Sequence, residues 1–339
     1  MKTWKTLGLL ALFAQLAAGA PAHAQQPPIV IKFSHVVAAN TSKGKAAEYF
    51  KKIVEERTQG RVKVEVYPNS QLYKDKEELE ALQMGSVQML APTFGKFGPI
   101  GVREFEVFDL PYLFDNMEQA QKITQGPIGQ QLLKKLDAKG IVGLTMLDSG
   151  FLDWTSNKPI VKPNDIKGMK IRIQSSKVID ARTRAVGALP QVMAFSELYQ
   201  GLQTGVVDGQ ENPPSIVSTS KLFEVQKYLT LSEHGYHGYV LVANKRFWDG
   251  LPAEIKPLMN QAVKDTANYF NSNSKKENDD ALEDIRKTGK TQILTMTAQD
   301  KDEWRKAQAP VYHDMEKRVG KPLMEDIIKT IGRDPAVLK

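Results

Sequence analysis

Residues 168–177 read GMKIRIQSSK, and residues 193–214 read MAFSELYQGLQTGVVDGQENPP. In the first stretch apolar and polar side chains alternate, a period of two that is typical of a β-strand with one buried face. The alternation places Arg172 on the face opposite Ile171 and Ile173. Because a guanidinium group matches a carboxylate with two parallel hydrogen bonds, Arg172 is a candidate anion site at the end of a strand. A solvated strand face is an equally good explanation of this segment alone.

The second stretch offers further groups suited to binding. Asn212 follows a strand predicted at residues 206–208, in a polar turn whose prolines can start a helix. Its amide can both donate to and accept from a small polar ligand. Phe195 precedes a short predicted helix, where it can pack internally or stack on a ligand. Taken singly, each of these residues is more typical of structure than of function.

The amino terminus has the three parts of a secretory signal peptide. Lys2 and Lys5 precede an apolar run at residues 7–18, and Ala22-His23-Ala24 is a small-residue cleavage signal. These features predict a signal peptide over residues 1–24 with cleavage after Ala24, and therefore export to the periplasm. No second apolar run is long enough to span a membrane.

Composition excludes several classes of protein. The chain of 339 residues is 41% hydrophobic and 25% charged, which is ordinary for a globular protein with room for two domains. It contains no cysteine, so thiol catalysis, zinc–cysteine sites and iron–sulfur clusters are excluded. The net charge is +7, but lysines are interspersed with acids, and no basic patch predicts a nucleic-acid partner. A mild positive charge suits the capture of small anions.

Strands and helices alternate with short connections, which predicts an α/β fold with a largely parallel sheet. The clearest helical periodicity covers residues 252–275, and a second long helix is predicted at residues 298–319. No flexible linker separates the two β-α series. We therefore expect the chain to cross between two domains more than once, with a ligand cleft between them.

Motifs for catalysis and metal binding are missing from the sequence. His234 and His237 lie in a glycine-rich segment that we interpret as a loop, where histidines are more often structural than ligands. Acid pairs such as Glu77-Glu78 are interpreted as solvated helix positions. The predictions are therefore no catalytic residue, no metal and no cofactor. A periplasmic enzyme acting on a carboxylate stays as a weaker alternative.

Beyond single residues, whole segments of the chain resemble a known family. The segments that carry the resemblance span the mature chain in order: residues 31–50, 64–75, 90–99, 108–114, 155–160, 168–178, 193–214 and 223–239. They are similar to the solute-binding subunit of tripartite ATP-independent periplasmic (TRAP) transporters, most of all the DctP-type proteins that bind C4-dicarboxylates. The block from Arg172 to Asn212 is the most specific part.

The resemblance implies an α/β, two-domain periplasmic-binding-protein fold of the type II-like TRAP receptor kind, with an interdomain ligand cleft and a long bridging helix. Domain I is predicted to comprise residues 27–149 plus 238–277, and domain II residues 150–237 plus 278–339. The chain is expected to cross between them near residues 147–152 and 235–239.

The resemblance also implies the site. Arg172 matches the family arginine that pairs with the ligand carboxylate, Asn212 matches the asparagine that contacts the same carboxylate, and Phe195 matches the aromatic residue of the pocket. Thr93 and Lys96 match positions on the opposite wall. Three more residues lie in segments that reach the cleft: His35, Ser175 and Tyr236.

The expected ligand is a small organic acid, above all a C4-dicarboxylate such as malate, succinate or fumarate. The expected partners are membrane permease subunits of the DctQ and DctM type, with no nucleic acid, and the protein itself is expected to be a monomer. A sensor subunit that presents its ligand to a receptor is an alternative role for the same fold.

One position departs from the family pattern. Family members often carry a second basic residue where this chain has Leu152. An unpaired buried carboxylate is costly, so a dicarboxylate needs a second partner. Either Lys96 or His35 supplies it, or the ligand is an aromatic acid, a sugar acid or another monocarboxylate.

Overall fold

The computed structural model describes residues 27–338, and the predicted signal peptide at residues 1–24 lies outside them. The strands in these residues are β1 (Ile29–Ser34), β2 (Val62–Tyr67), β3 (Met89–Leu90), β4 (Ile141–Ser156), β5 (Lys170–Ile173), β6 (Leu189–Val192), β7 (Gly209–Asn212), β8 (Tyr228–Asn244) and β9 (Gln292–Thr295). The α-helices are α1 (Ser42–Arg57), α2 (Glu78–Met84), α3 (Met117–Thr124), α4 (Pro127–Lys135), α5 (Lys177–Ala185), α6 (Leu198–Gln203), α7 (Pro214–Thr219), α8 (Lys245–Asp249), α9 (Lys256–Thr288), α10 (Ala298–Gln308), α11 (Pro310–Val319) and α12 (Lys321–Ile331). Among the helices of residues 27–338, none has the length and apolar content needed to cross a bilayer.

The described strands form one mixed sheet in the order β2-β1-β3-β8-β4-β7-β5-β6, with β9 beside β8. Strand β1 pairs in parallel with β2 and β3, and β5 pairs in parallel with β6 and β7. Between these two parallel groups the long strands β4 and β8 run antiparallel to each other. The α/β architecture confirms the predicted fold class. The sheet is mixed and not largely parallel as predicted, because its longest strands, β4 and β8, pair antiparallel.

Strands β4 and β8 join the two parallel groups. In their ladder Leu147 lies opposite Tyr239 and Leu152 lies opposite Gly235, so the two predicted crossing segments lie side by side. The register shifts between Asp148 and Gly150, and Gly150 has a φ of 141°, a conformation that favours glycine. The exact division into two domains stays a prediction.

Helix α9 is longer than the helix predicted from the periodicity. It continues beyond residue 275 to Thr288, and Gly289 ends it in a left-handed conformation. Its first half buries Met259 and Phe270 in the core beneath β1 and α1. Its second half buries Ile285 in a separate apolar cluster with α6 and α7. The exposed positions between these clusters carry Lys–Asp pairs four residues apart, which support a helix without an apolar stripe.

Two sequence predictions about elements are wrong. The helix predicted at residues 298–319 is two helices, since Pro310 has no N–H to continue α10 and instead begins α11. The strand predicted at residues 206–208 begins later, at Gly209, and ends at Asn212. All four residues of β7 are buried although three are polar, because their side chains are hydrogen-bonded inside the protein.

Candidate functional site

A pocket with about 310 Å³ of unfilled space, part of it open to solvent, lies at the carboxyl ends of strands from the two parallel groups, beside the β4–β8 crossing. Its lining residues come from both sides of the crossing: Val36, Val37, Lys43, Asp75, Thr93, Lys96, Arg172, Gln174, Phe195, Asn212, Ile216, His237 and Tyr239. Five of the eight predicted site residues are in this lining: Thr93, Lys96, Arg172, Phe195 and Asn212.

Arg172 lies on β5 with its neighbours Ile171 and Ile173 buried in the core on the opposite face, as the alternation predicts. Its side chain is only 3% exposed, and its Nε donates to the carbonyl oxygen of Met193 at 3.0 Å. No carboxylate of residues 27–338 lies within 4 Å of the guanidinium nitrogens. Burial lowers the pKa of Arg172, but an arginine stays charged. The pocket therefore contains a buried cation without a protein counter-ion in contact.

Asn212 and Phe195 complete the surroundings of Arg172. Asn212 ends β7, where it is held opposite Asp153 of β4, and its Nδ2 donates to Gln210. This bond orients the side chain and leaves its Oδ1 and second N–H for the pocket. The Phe195 ring centroid lies 5.8 Å from Cζ of Arg172, a distance that suits a cation–π contact. Phe195 begins a short 3-10 helix directly after β6.

The two walls touch each other at the pocket. Thr93 Oγ1 donates to Oε1 of Gln174, which follows β5. A second cavity of about 230 Å³ adjoins the first and shares Asp75, Lys96, Arg172 and Gln174 with it. Ser175 lines this adjoining cavity and not the main pocket.

Lys96 is already paired with carboxylates. Its Nζ contacts Asp75 Oδ1 and lies 3.0 Å from Glu78 Oε1, and all three side chains are nearly buried. Burial opposes the charge on Asp75, but Lys96 and Arg172 together lower its pKa to about 2. The interpretation of Glu78 as a solvated helix residue is wrong, because it is 2% exposed beneath Lys96. Sequence could not show this, since the partner lies 18 residues away.

Lys43 is a lining residue that sequence reasoning missed. It lies in the first turn of α1, which Thr41 caps by accepting from the N–H of Gly44. Its Nζ donates to the carbonyl oxygen of Ala91 at 3.0 Å and lies 4.1 Å from the ring centroid of Tyr239. Burial, followed by the charge on Lys96, lowers the pKa of Lys43 to about 7.

The histidines differ from the sequence interpretation. Both His234 and His237 lie in strand β8, so the predicted loop is wrong. His237 faces the pocket, and burial together with the charge on Lys43 lowers its pKa to about 3, which keeps it neutral. His35 is buried next to the lining residues Val36 and Val37 but does not itself line the pocket.

Tyr236 also lies outside the pocket lining. Its ring belongs to a cluster of aromatic side chains, and its hydroxyl donates to the buried carboxylate of Asp148. Its side chain therefore packs beneath the crossing strands.

Leu152 is likewise outside the lining. It is 2% exposed and packs beside Gly235, where a Cβ atom would come within 2.9 Å of its Cδ1. The same Cβ atom would lie 2.5 Å from Nη1 of Arg182, so Leu152 and Arg182 pack against the same glycine.

A second buried ionic group lies behind the wall. Arg182 Nη2 is 2.5 Å from Glu211 Oε1, and the other oxygen of Glu211 is 2.7 Å from His234 Nε2. Burial opposes the charge on Glu211, but Arg182 and His234 lower its pKa to about 2. Trp154 stacks on the His234 ring with centroids 3.9 Å apart. Since Glu211 precedes Asn212 in β7, this group fixes the strand that presents Asn212 to the pocket.

The pocket thus has the chemistry of an anion-binding site, with buried cations, an amide and an aromatic ring. Within residues 27–338 no group of three or more histidine, aspartate or glutamate side chains could hold a metal ion.

Comparisons with known proteins agree on one family. The family model described as "Bacterial extracellular solute-binding protein, family 7" matches residues 33–318. The C4-dicarboxylate-binding periplasmic protein DctP of Rhodobacter capsulatus is 54% identical over 322 residues, covering 94% of this chain and 96% of that protein. A TRAP periplasmic solute-binding protein of Shewanella oneidensis, solved with bound succinate, superposes with a TM-score of 0.88 at 39% identity, covering 90% of this chain and all of that one. A sugar-acid-binding protein of Advenella mimigardefordensis, solved with galactonate, has a TM-score of 0.87 at 33% identity, covering 90% of this chain and 98% of that one.

Proposed function

The chain belongs to family 7 of the bacterial extracellular solute-binding proteins, the DctP family, and we propose that it binds a C4-dicarboxylate in the pocket at Arg172. The observation that carries the proposal is the state of Arg172, a buried guanidinium that no carboxylate in residues 27–338 contacts within 4 Å. Burying a charge without a partner is costly, so such a group indicates a site built for an anion from outside.

Three side chains are proposed to hold the first carboxylate. Arg172 offers the two nitrogens that Met193 does not use, and Asn212 adds an amide hydrogen bond beside it. Phe195 covers the guanidinium on one side and keeps water away from it. Charged hydrogen bonds are stronger in such a dry environment than in solvent, so affinity arises mainly at this end of the pocket.

The transport role follows from the same reasoning. We propose that the chain carries its ligand to membrane permease subunits of the DctQ and DctM type, as a monomer without catalytic activity. We further propose that residues 1–24 direct its export and are removed after Ala24. The 54% identity to the Rhodobacter capsulatus protein over nearly its whole length supports this role.

The ligand can be tested with the ligand-free protein in a thermal-shift and calorimetric screen. We expect succinate, L-malate and fumarate to raise the unfolding temperature, because a ligand that binds the native state stabilises it. Butyrate, benzoate and galactonate serve as probes of the monocarboxylate and sugar-acid alternatives. Stabilisation by galactonate or benzoate with none by the three dicarboxylates would overturn the proposal.

Arg172→Met tests the proposed contact. We expect succinate affinity to fall by more than tenfold, because a hydrogen bond to a charged group contributes about 1.5–3 kcal/mol. Arg184→Met is the matched control, since Arg184 lies on the neighbouring helix α5, is exposed and pairs with Asp180. Equal succinate affinity in the two variants would show that Arg172 is not the carboxylate partner.

A further inference from the structure

The pocket contains two lysines, and they are in different electrostatic situations. Lys96 contacts two carboxylates, Asp75 and Glu78, so its charge is already balanced. Lys43 has no carboxylate of residues 27–338 within 4 Å of its Nζ. Its contacts are the carbonyl oxygen of Ala91 and the face of the Tyr239 ring. Lys43 therefore resembles Arg172 in being a buried cation without a contacting counter-ion.

Lys43 and Arg172 belong to different walls of the pocket. Lys43 comes from α1, which packs on the β1–β2 side of the sheet, and Arg172 comes from β5 on the other side of the crossing strands. A molecule that fills the pocket between the walls can therefore present one anionic group to each cation. Two such groups on a short chain make a dicarboxylate.

A neighbouring side chain, His237, also has an unused hydrogen-bonding atom. His237 is 4% exposed, lines the pocket, and its Nδ1 has no hydrogen-bond partner in residues 27–338. Unpartnered buried polar atoms are uncommon and need an explanation. An acceptor at the Lys43 end of the pocket would explain it, because a neutral imidazole can donate one hydrogen bond.

We propose that Lys43 binds the second carboxylate of the ligand and takes up a proton when a dicarboxylate binds. This inference rests on the proposed function, since it assumes a dicarboxylate with its first carboxylate at Arg172. From the sequence, the partner of the second carboxylate was open between Lys96 and His35. The proposal assigns this role to Lys43 on helix α1. It also removes the need for a basic residue at position 152.

The proton uptake follows from the burial of Lys43. Because burial lowers the pKa of Lys43 to about 7, part of the free protein carries the neutral amine at neutral pH. A bound carboxylate favours the charged form, so binding raises this pKa. The complex therefore takes up a fraction of a proton on binding, and this fraction grows as the pH rises above the pKa of the free amine.

Apart from Glu78, the groups around Lys43 keep their charge across this pH range. Lys96 and Asp75 form an ion pair with shifts that favour both charges, and Glu78 shares that pair. The pKa values of His35 and His237 are lowered to about 3, and the pKa of Tyr239 is raised by burial. Burial also raises the pKa of Glu78. Lys43→Arg keeps a positive charge beside Glu78, so a loss of proton uptake in that variant assigns the proton to Lys43.

The sign of the pH effect is fixed by this linkage. Succinate should bind more weakly as the pH rises from 7 to 9, because a growing fraction of free Lys43 must first be protonated. The loss approaches tenfold per pH unit between the pKa of free Lys43 and the higher pKa of bound Lys43. Carboxyl groups stay ionised throughout this range, so the ligand does not contribute.

The experiment compares succinate with butyrate, a monocarboxylate with the same number of carbon atoms, by titration calorimetry. Wild type, Lys43→Met and Lys43→Arg are measured at pH 7 and pH 9, and in two buffers of different ionisation enthalpy to count protons. Lys45→Met is the matched control, because Lys45 lies two residues along the same helix with an exposed ion pair to Glu277.

We expect wild type to take up a proton with succinate, and Lys43→Met to lose at least tenfold in succinate affinity but less than threefold in butyrate affinity. Lys43→Arg should keep the preference for succinate without proton uptake, since arginine is charged at every pH used. Lys45→Met should behave as wild type. Unfolding curves of the ligand-free variants verify that each is folded.

Two results would overturn the inference while leaving the proposed function intact. One is wild-type binding of succinate with no proton uptake and a flat pH profile, a measurement that needs no variant. The other is an equal loss for succinate and butyrate in Lys43→Met. Failure of the wild type to bind any dicarboxylate would instead remove the proposed function itself.

Discussion

Two arginines ten residues apart, Arg172 and Arg182, are both buried, at 3% and 0% exposure, but the protein treats them differently. Arg182 is neutralised inside the protein, with Glu211 Oε1 at 2.5 Å and the carbonyl oxygen of Asp109 at 2.9 Å. Arg172 donates to one backbone carbonyl and contacts no carboxylate within residues 27–338. Burial alone therefore does not distinguish a structural arginine from a binding one.

The distinguishing property is the counter-ion. A buried charge with an internal partner supports the fold. Removing one member of the pair leaves the other charge buried in a low-dielectric interior without a counter-ion, which lowers stability. A buried charge without a partner makes the free protein less stable and makes binding of an anion more favourable. The two arginines are also connected, since Glu211 holds Arg182 and Asn212 next to it faces the pocket.

The largest effect is expected from Glu211→Ala. This change leaves Arg182 buried without a contacting carboxylate and removes the partner of His234 Nε2, so the free energy of unfolding should fall by about 3–5 kcal/mol. Urea denaturation without ligand measures it. Arg172→Met is the paired control, and it should lower the free energy of unfolding much less, because no carboxylate of residues 27–338 contacts Arg172. A similar loss of stability in both variants would contradict the distinction between the two arginines.

A charge introduced behind the pocket wall should act on stability and not on specificity. Leu152→Lys places a buried ammonium close to Arg182, at the position where the family pattern often has a basic residue. We expect the free energy of unfolding to fall by about 3 kcal/mol, since an unpaired buried charge is among the costliest substitutions.

The affinity ratio of succinate to butyrate should stay as in wild type, because Leu152 does not line the pocket. Titration calorimetry on the folded variant measures this ratio. An increase in the ratio would show that a lysine at position 152 reaches the ligand, and would restore the explanation based on the missing basic residue.

How much the sequence predicts depends on how local the signal is. The strand that carries Arg172 was predictable from an alternation of four residues, and Asn212 and Phe195 were found because they lie in the same continuous, specific stretch of sequence. Strand β7 was misplaced because its polar side chains are satisfied by residues more than 25 positions away, such as Thr155 and Arg182.

Lys43, Asp75 and His237 could not be found in this way. They come from a helix, a loop and a strand that are distant in sequence, and only the fold brings them to one pocket. At Glu78 the charge pattern predicts the wrong environment. A run of acids and lysines is typical of a solvated surface, but Glu78 forms a buried ion pair with Lys96. A lysine on a helix gives no sequence signal of being desolvated, since exposed lysines are the common case.

The smallest effect on succinate affinity is expected for an ion pair that is exposed to solvent. Lys74 Nζ lies 3.0 Å from Glu197 Oε1, and both side chains are about half exposed. Lys74 is next in sequence to the pocket residue Asp75, and Glu197 comes two residues after Phe195. Water and salt screen such a pair, in contrast to the buried contact of Asp75 with the N–H of Phe195 next to it. Lys74→Ala should therefore weaken succinate binding by less than about fivefold, and the difference from wild type should vanish at high salt.

Lys52→Ala, which removes an exposed lysine of α1 with no ion pair in residues 27–338, controls for net charge. A loss as large as that of Arg172→Met would mean that the Lys74–Glu197 contact, and not the counter-ion of Arg172, controls the affinity.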